Sequence, residues 1–184
     1  GYQLRIEPYL LDASKMGVPQ RRRRVFFIAL RNDLAPQFME QVDMFQIAPK
    51  LELSFNEKEI PFKEIDSKVE LGTIPPSVSK MWDKVKPGSS FSTAHPKGSF
   101  FNFIKVNPEK SIPTLTNGKQ AQSSIIHHYY KRALNDVELC KAGSYPQDYN
   151  FMKNKVTYLV GMSVPPLMTA NIAAEIYSQW LKNI

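Results

Sequence analysis

The start of the chain alternates apolar and polar residues over positions 2–7 (YQLRIE). A period of two is typical of a strand with one buried face. After turn residues near Gly17 and Pro19, four consecutive arginines precede a continuous apolar run at 25–30 (VFFIAL). This run is too short for a helix and is rich in branched and aromatic residues, so it predicts a strand buried on both faces.

Regular periodicity is lost from residue 32 to about residue 119, where prolines and other turn residues interrupt every short apolar run. Within this region, residues 76–85 predict a short helix, and residues 97–106 predict a strand that follows a Gly/Ser turn. The change of pattern predicts a small, irregular lobe that is separate from the flanking segments.

Two further helices are predicted toward the end of the chain. Asn135, followed three residues later by Glu138, predicts a capping box at the start of a helix that ends near residue 142. Ser163 predicts the N-cap of the last helix, with prolines 165 and 166 in its first turn. Apolar residues then recur at every fourth position of that helix: Met168, Ile172, Ile176 and Trp180.

Composition narrows the class of protein. The 184 residues include 24 Lys plus Arg, 17 Asp plus Glu, one Cys and three His. The single Cys140 excludes an internal disulfide and a Cys-rich zinc site, and so few histidines argue against another metal site. No run approaches the roughly 18 apolar residues of a membrane span, and no signal-like segment is present. We therefore expect a cytoplasmic protein with no metal and no membrane partner.

The excess of basic residues is local. Residues 71–119 contain seven basic and two acidic side chains, whereas residues 40–70 contain four basic and eight acidic ones. A positive patch beside a polyanion gains free energy from counterion release, but solvated lysine-rich surfaces are also common. Charge alone therefore does not decide whether the partner is a nucleic acid.

The four arginines present a particular problem for a buried strand. Because side chains alternate, Gln20, Arg22 and Arg24 share one face, and Arg21 and Arg23 share the other. One interpretation is a solvated strand edge. The other is that an arginine leading into a buried strand meets an anion or a polar ligand with its planar fork, which offsets the cost of burial.

Three segments resemble motifs of the DNA cytosine-5 methyltransferases, and they occur in that family's order. Residues 17–33 (GVPQRRRRVFFIALRND) resemble its Gln-x-Arg-x-Arg segment, residues 132–151 its Arg-x-Leu-Thr…Glu…Phe-Pro segment, and residues 161–176 (GMSVPPLMTANIAAEI) its final Gly-Asn-x-Val-Pro-Pro motif. Three positions depart from the family pattern: Asn135 replaces Thr, Tyr145 replaces Phe and Met162 replaces Asn.

The sequence contains no Pro-Cys, no Glu-Asn-Val and no Gly-x-Gly. In the family these elements supply the nucleophile, the acidic group near cytosine N3 and the S-adenosylmethionine turn. The resemblance thus covers only the C-terminal part of such an enzyme. Cys140 follows Leu139 and is expected to be a structural thiol. We expect the chain alone to be inactive, whether it is a fragment, a proteolytic product or a natural split subunit.

The resemblance implies an α/β fold that contains the C-terminal portion of a Rossmann-like methyltransferase sheet. Residues 1–34 would form its last strands, residues 35–120 a small, irregular, mainly β target-recognition lobe, residues 121–160 a hinge, and residues 161–184 a closing helix. An incomplete sheet exposes apolar surface, so residues 25–30 and the stripe of Ile172 and Ile176 predict association with a complementary N-terminal half or with a second copy.

Site residues follow from the same resemblance. Arg24 would contact O2 of the flipped cytosine, while Arg22 and Gln20 would hold the catalytic loop. An internal ion pair is the alternative for Arg22. The cofactor would be S-adenosylmethionine, bound mostly by the missing half and also by residues 162–164 of this chain: Met162, Ser163 and Val164.

The basic half of the lobe is the better candidate for contacts to duplex DNA, because it combines lysines with short polar side chains. The expected DNA-binding residues are Lys97, Asn102, Lys105, Lys110, Thr114, Thr116, Asn117 and Lys119. Phe100, Phe101 and Phe103 are expected to form the lobe's core rather than to stack on bases, which is the alternative.

The expected function is therefore target recognition in a modification methylase that transfers methyl groups to cytosine C5. A non-catalytic DNA-binding or regulatory relative is the alternative, and an unrelated basic module would have to match three ordered motifs by chance.

Overall fold

A computed structural model describes residues 2–4, 8–44, 46–116 and 123–183. These residues form a mixed α/β structure. Its strands are β1 (Tyr2–Leu4), β2 (Tyr9–Asp12), β3 (Arg23–Phe26), β4 (Ala29–Arg31), β5 (Met39–Asp43), β6 (Gln46–Pro49), β7 (Ile104–Lys105) and β8 (Ile125–Ile126). Its helices are α1 (Pro76–Met81), α2 (Asp136–Ala142), α3 (Val156–Met162) and α4 (Pro166–Gln179).

Within the described part of the chain, the strands form four two-stranded sheets, and only β7 and β8 run parallel. β2 and β3 pair antiparallel, with Leu10 opposite Val25 and Leu11 opposite Arg24. β1 pairs with β4, which bears out the strand predicted at the start of the chain for residues 2–4. Residues 5–7 of that prediction lie outside the described residues.

The strand predicted at 25–30 is not buried on both faces. It divides into β3 and β4, and its outward residues Val25 and Phe27 are 51% and 74% exposed. Leu10, which is opposite Val25, is 63% exposed. The alternation arises because the inner face of the β2–β3 pair meets the core, while no described element covers the outer face.

The closing helix α4 covers that inner face. Met168, Ile172 and Trp180 are buried with Tyr9 and Leu11 in one hydrophobic cluster, against which Ile176 also packs. The predicted interval of four is therefore confirmed. The expected role of Ile172 and Ile176 in association is wrong, since this chain covers them itself.

The helix boundaries near Ser163 differ from the prediction. Residues 156–162 form an additional helix, α3, and Ser163 is its C-cap. The Ser163 hydroxyl donates to the Val160 carbonyl oxygen at 3.2 Å, so Ser163 does not cap α4. The N-cap of α4 is Pro165, and Pro166 begins the helix. A helix needs no N–H at its first position, which is why proline suffices there.

Two further clusters lie outside the core around α4. One packs Phe62 and Ile112 against Leu139 of α2 and Val160 of α3. The other forms around α1 and includes Val78, Met81 and Phe91. The predicted helix at 76–85 is present as α1 followed by a 3-10 turn, Trp82–Lys84. The strand predicted at 97–106 is reduced to β7, because residues 97–103 form turns.

One segment, Val156–Gln179, is long and apolar enough to cross a membrane on length and composition alone, which the sequence did not lead us to expect. The structure divides this segment into α3 and α4 at residues 163–165. Met168 and Ile172 of its second half are packed in the protein core. We therefore treat it as two helices of the folded domain.

Candidate active-site strand and recognition surface

The segment that enters β3 alternates as the sequence predicts. Gln20 and Arg22 are buried, Arg24 is half-buried, and Arg21 and Arg23 are exposed. Asp12, at the end of β2, holds the backbone in place where the chain enters β3. Its carboxylate accepts a hydrogen bond from the Arg22 backbone N–H at 3.2 Å and lies 3.5 Å from the Arg23 guanidinium. One face of this short segment therefore carries Gln20, Arg22 and Arg24 into the protein.

Arg22 is 1% exposed, and carbonyl oxygens bind its guanidinium. Nη1 donates to the Leu115 carbonyl oxygen and Nη2 to the Gly161 carbonyl oxygen, both at 2.8 Å. Among the described residues, no carboxylate pairs with Arg22, so the ion pair considered from the sequence is not formed. Arg22 instead ties this segment to Leu115 and, through Gly161, to α3.

The charge of Arg22 is incompletely compensated. Burial, followed by the nearby positive charge of Arg24, lowers the pKa of Arg22 to about 10. Its Nε is buried and has no hydrogen-bond partner among the residues that the structure describes. An orphaned buried donor is uncommon in folded proteins. Arg22 therefore contributes buried positive charge close to the half-buried Arg24.

Within the described residues, the Arg24 side chain makes one hydrogen bond, from Nη1 to the Arg23 carbonyl oxygen at 2.7 Å. No acidic side chain in the described ranges bonds its guanidinium. The other nitrogens of the fork remain available to a ligand, and five donors in a fixed plane suit a carbonyl or an anion.

Gln20 holds its neighbours in place. Its Oε1 accepts hydrogen bonds from Arg22 Nη1 at 3.3 Å and from the Leu115 N–H at 3.4 Å, and its Nε2 donates to the Ala142 carbonyl oxygen at 3.4 Å. These bonds join the arginine segment to the lobe and to the end of α2. Gln20 is therefore a positioning residue in this structure.

The proposed cofactor residues lie at the bend between α3 and α4. Met162 is 59% exposed and Val164 is 38% exposed, while Ser163 between them has an extended backbone. They present an apolar edge to solvent. Gly161, directly before them, accepts the hydrogen bond from Arg22, so this edge is linked to the arginine strand.

The DNA-binding candidates fall into three groups. Lys97, Asn102, Lys110, Thr114 and Thr116 are exposed. The Thr114 hydroxyl donates to the Arg21 carbonyl oxygen at 2.7 Å, which holds this part of the lobe beside the arginine strand. Asn117 and Lys119 lie outside the described residues.

Lys105 is the third case and corrects an expectation. It is 5% exposed, its ammonium donates to the Trp82 carbonyl oxygen at 3.0 Å, and it lies 3.5 Å from the centre of the Trp82 ring. Burial lowers the pKa of Lys105. A phosphate cannot approach this ammonium without displacing Trp82, so Lys105 belongs to the packing of the lobe.

An ion pair inside the protein joins Arg132 to Glu138 in the first turn of α2. Arg132 and Glu138, both 0% exposed, form a bidentate pair with two hydrogen bonds of 2.8 Å. Glu138 also completes the predicted capping box with Asn135, so Asn in place of the family's Thr preserves the cap. Burial opposes ionisation, but the bonds from Arg132 and the Asn135 N–H prevail and lower the pKa of Glu138.

Asp66, His127 and His128 bring three potential metal ligands within 4.8 Å of one another. His127 Nδ1 accepts the backbone N–H groups of Tyr129 and Tyr130 at 3.0 and 3.1 Å, so Nε2 carries the proton and donates to Asp66 at 3.2 Å. A metal at Nε2 would require an imidazolate. Sequence reasoning missed this cluster, and its bonding favours a structural role.

Cys140 is partly buried in α2, and burial raises its pKa. A raised pKa reduces the thiolate fraction and therefore the reactivity of the group. This agrees with the structural role expected from the sequence.

Comparison with known proteins identifies the family of the chain. The model of the C-5 cytosine-specific DNA methylases matches residues 1–178. The chain belongs to this family. It is 30% identical over 174 residues to M.MJ0563P of Methanocaldococcus jannaschii, which carries a provisional type II methyltransferase name, and 24% identical over 181 residues to the type II methyltransferase M.BbvI of Brevibacillus brevis.

The methylase chain spans about half the length of the curated relatives it matches. The two alignments cover 92% and 90% of this chain but 51% and 46% of the relatives. A solved structure, provisionally named a DNA modification methyltransferase and encoded within an Escherichia coli prophage, superposes with a TM-score of 0.61 at 18% identity. That superposition covers 98% of this chain and 61% of the other, and shows a shared methyltransferase fold.

Proposed function

We propose that this chain is the target-recognition and C-terminal part of a DNA cytosine-5 methyltransferase, and that a complementary N-terminal half supplies the nucleophile and most of the cofactor site. The observation that carries the proposal is the positive charge of Arg24 in β3 and of the buried Arg22 just before β3. Arg22 and Arg24 lie on one face, and no described carboxylate pairs with either guanidinium. Such a face favours a substrate that accumulates negative charge.

Arg24 is the residue proposed to touch the substrate. When a nucleophile adds to cytosine, negative charge spreads through the ring onto O2 and N3. A guanidinium aimed at O2 stabilises this charge more in the transition state than in the ground state, which accelerates the chemical step. Arg22 and Gln20 act through Arg24, because their bonds to the lobe and to Gly161 fix the strand.

S-adenosylmethionine, when bound, supplies the methyl group. The exposed apolar edge of Met162 and Val164 fits one side of such a ligand, and a main-chain contact there would tolerate Met in place of Asn. The remaining contacts are assigned to the complementary half.

The outer face of the β2–β3 pair supports association with that half. Leu10, Val25 and Phe27 are exposed on it. In the described residues, β3 pairs only with β2, so its other edge is open to a further strand. A strand and a covering helix from the N-terminal half would bury this surface. A second copy of this chain is the competing occupant.

The first test is complementation. We expect this chain alone to transfer no methyl groups, since no Pro-Cys nucleophile is present. Mixing it with a purified N-terminal half of a related enzyme that contains the Pro-Cys and Gly-rich motifs should restore transfer of labelled methyl from S-adenosylmethionine to duplex DNA.

Two controls make this result decisive. Phe27→Asp should prevent complementation, because it places a charge on the exposed face, whereas Arg21→Gln alters an exposed residue nearby and should not. Methyl transfer by this chain alone, after contaminating enzyme has been excluded, would contradict the split assignment. An assembled complex that binds DNA without methylating it would favour the regulatory alternative.

DNA contacts in the lobe are tested through salt dependence. We expect Lys97→Gln and Lys110→Gln each to weaken binding to all DNA sequences and to flatten the plot of log affinity against log salt by about 0.9 units. Thr116→Val should instead change the preference among sequences if its hydroxyl reaches a base edge.

Lys105 provides the matched control. Because its ammonium is buried against Trp82, Lys105→Met should leave the salt slope unchanged while altering thermal stability. A slope that falls equally in all three lysine variants would contradict the placement of Lys105 inside the lobe.

A further inference from the structure

Phe101 projects into solvent instead of packing against other residues of the lobe. Phe101 is 70% exposed, although Phe100 and Phe103 on either side pack against the cluster around α1. The rings of Phe100 and Phe103 are 5.7 Å apart, and His95 lies 5.3 Å from Phe100. The expectation that all three phenylalanines form the core therefore fails at the middle one.

The loop that carries Phe101 is held in shape. Phe100 has a φ of +67°, a left-handed conformation that is costly for a bulky residue. The Ser90 hydroxyl donates to the Phe101 carbonyl oxygen at 3.0 Å, and the Phe91 N–H donates to the Phe103 carbonyl oxygen at 2.8 Å. These bonds maintain a backbone turn that directs Phe100 inward and Phe101 outward.

A second set of bonds fixes the preceding turn. His95 Nδ1 accepts the backbone N–H groups of Lys97 and Ser99 at 3.3 and 3.1 Å. Gly98 has a φ of +66°, and no described atom lies within 4 Å of the position a Cβ would occupy. Lys97 and Phe101 are thus exposed on one ordered loop. An ordered loop loses little conformational entropy when it binds.

The charge around Phe101 favours a polyanionic partner. No acidic residue occurs between Asp83 and Glu109, while Lys84, Lys86 and Lys97 in that interval are exposed. Asp83 is itself paired with Lys131, and Glu109 with Lys63. A protein partner would be better served by a broad apolar patch than by one ring among lysines and polar residues.

We propose that Phe101 is a wedge that inserts between stacked bases of duplex DNA when the lobe binds its target. The inference rests on the proposed function of the chain. It adds a residue that would separate two stacked bases of the bound DNA. An apolar ring that enters a base step replaces part of the lost stacking and kinks the duplex. Unstacking beside the target cytosine would lower the cost of flipping it.

The test uses the assembled enzyme and duplexes that carry 2-aminopurine. The target is first located by mapping the methylated cytosines, and 2-aminopurine is then placed singly at each neighbouring position. The wild-type enzyme should raise the fluorescence at one position, because an unstacked 2-aminopurine emits more strongly. Phe101→Ala should abolish that rise and weaken DNA binding by about 5- to 150-fold, which is the range for loss of one stacked base.

Matched variants separate the outcomes. Phe101→Trp should preserve the signal, and Leu71→Ala, which removes another exposed apolar side chain of the lobe, should leave both measurements unchanged. If Phe101→Ala retains wild-type affinity and fluorescence in an enzyme that methylates DNA, the wedge is wrong and the proposed function stands. If Phe101→Ala disrupts assembly instead, the ring is a protein contact and the wedge is overturned. An assembled protein that neither binds nor methylates DNA overturns both proposals.

Discussion

Arg24→Ala is expected to lower the rate constant for methyl transfer by about 30- to 900-fold in the assembled enzyme, which corresponds to roughly 2–4 kcal/mol of transition-state stabilisation. The reason is that the proposed contact to O2 strengthens as the cytosine ring gains negative charge. DNA affinity should change much less. Single-turnover kinetics and equilibrium DNA binding, measured with the same enzyme, separate the two effects.

Arg23 supplies the matched control for Arg24. It is the adjacent residue of the same strand and carries the same charge, but it is exposed and lies beside Asp12. Arg23→Ala should leave the rate constant nearly unchanged. Arg24→Lys keeps the charge without the planar fork and should recover only part of the activity. Equal losses of rate and of DNA affinity in Arg24→Ala would indicate that Arg24 only supports the strand.

Local patterns predicted local structure well. The capping box of Asn135 and Glu138 needs only two side chains at a fixed spacing, and it is present. The alternation of the arginine segment and the interval of four along α4 are also properties of single elements. Such patterns hold because the backbone geometry of one strand or helix determines which side chains share a face.

The failures concern what packs against an element. An apolar run does not reveal how many of its faces are covered, so residues 25–30 were expected to be more deeply buried than they are. Lys105 was expected at the surface, but the Trp82 ring and carbonyl oxygen compensate its burial. Ser163 has the composition of an N-cap, yet it ends α3. Each outcome depends on residues distant in sequence.

The candidate site was predictable where a single extended segment, residues 20–24, places its side chains on one face. Gln20, Arg22 and Arg24 were placed on one face from spacing alone. The separate roles of these residues could not be predicted from the sequence. Arg22 is held by the Leu115 and Gly161 carbonyl oxygens, which are 93 and 139 residues away along the chain. Every residue has a backbone carbonyl group, so the amino-acid sequence does not indicate which carbonyl oxygens will bind a buried arginine.

Glu138→Gln is expected to destabilise the fold by about 3–5 kcal/mol at neutral pH, because it leaves the guanidinium of Arg132 buried without its counter-charge. Both side chains are 0% exposed, so water cannot replace the lost partner. Urea unfolding followed by circular dichroism should report the loss as a lower midpoint. Asp136→Asn, at an exposed site in the first turn of the same helix, should cost only about 0.3–1 kcal/mol.

The pH dependence distinguishes a lost charge from lost packing. The pKa of Glu138 is lowered by folding, so its contribution is fully present above the pKa of the unfolded chain and is lost as pH falls through the lower folded value. The difference in unfolding free energy between wild type and Glu138→Gln should therefore shrink below about pH 4, near the ordinary pKa of glutamate. A difference that stays constant from neutral to acidic pH would show that Gln disturbs packing, and that the charge of Glu138 contributes little to holding Arg132 against α2.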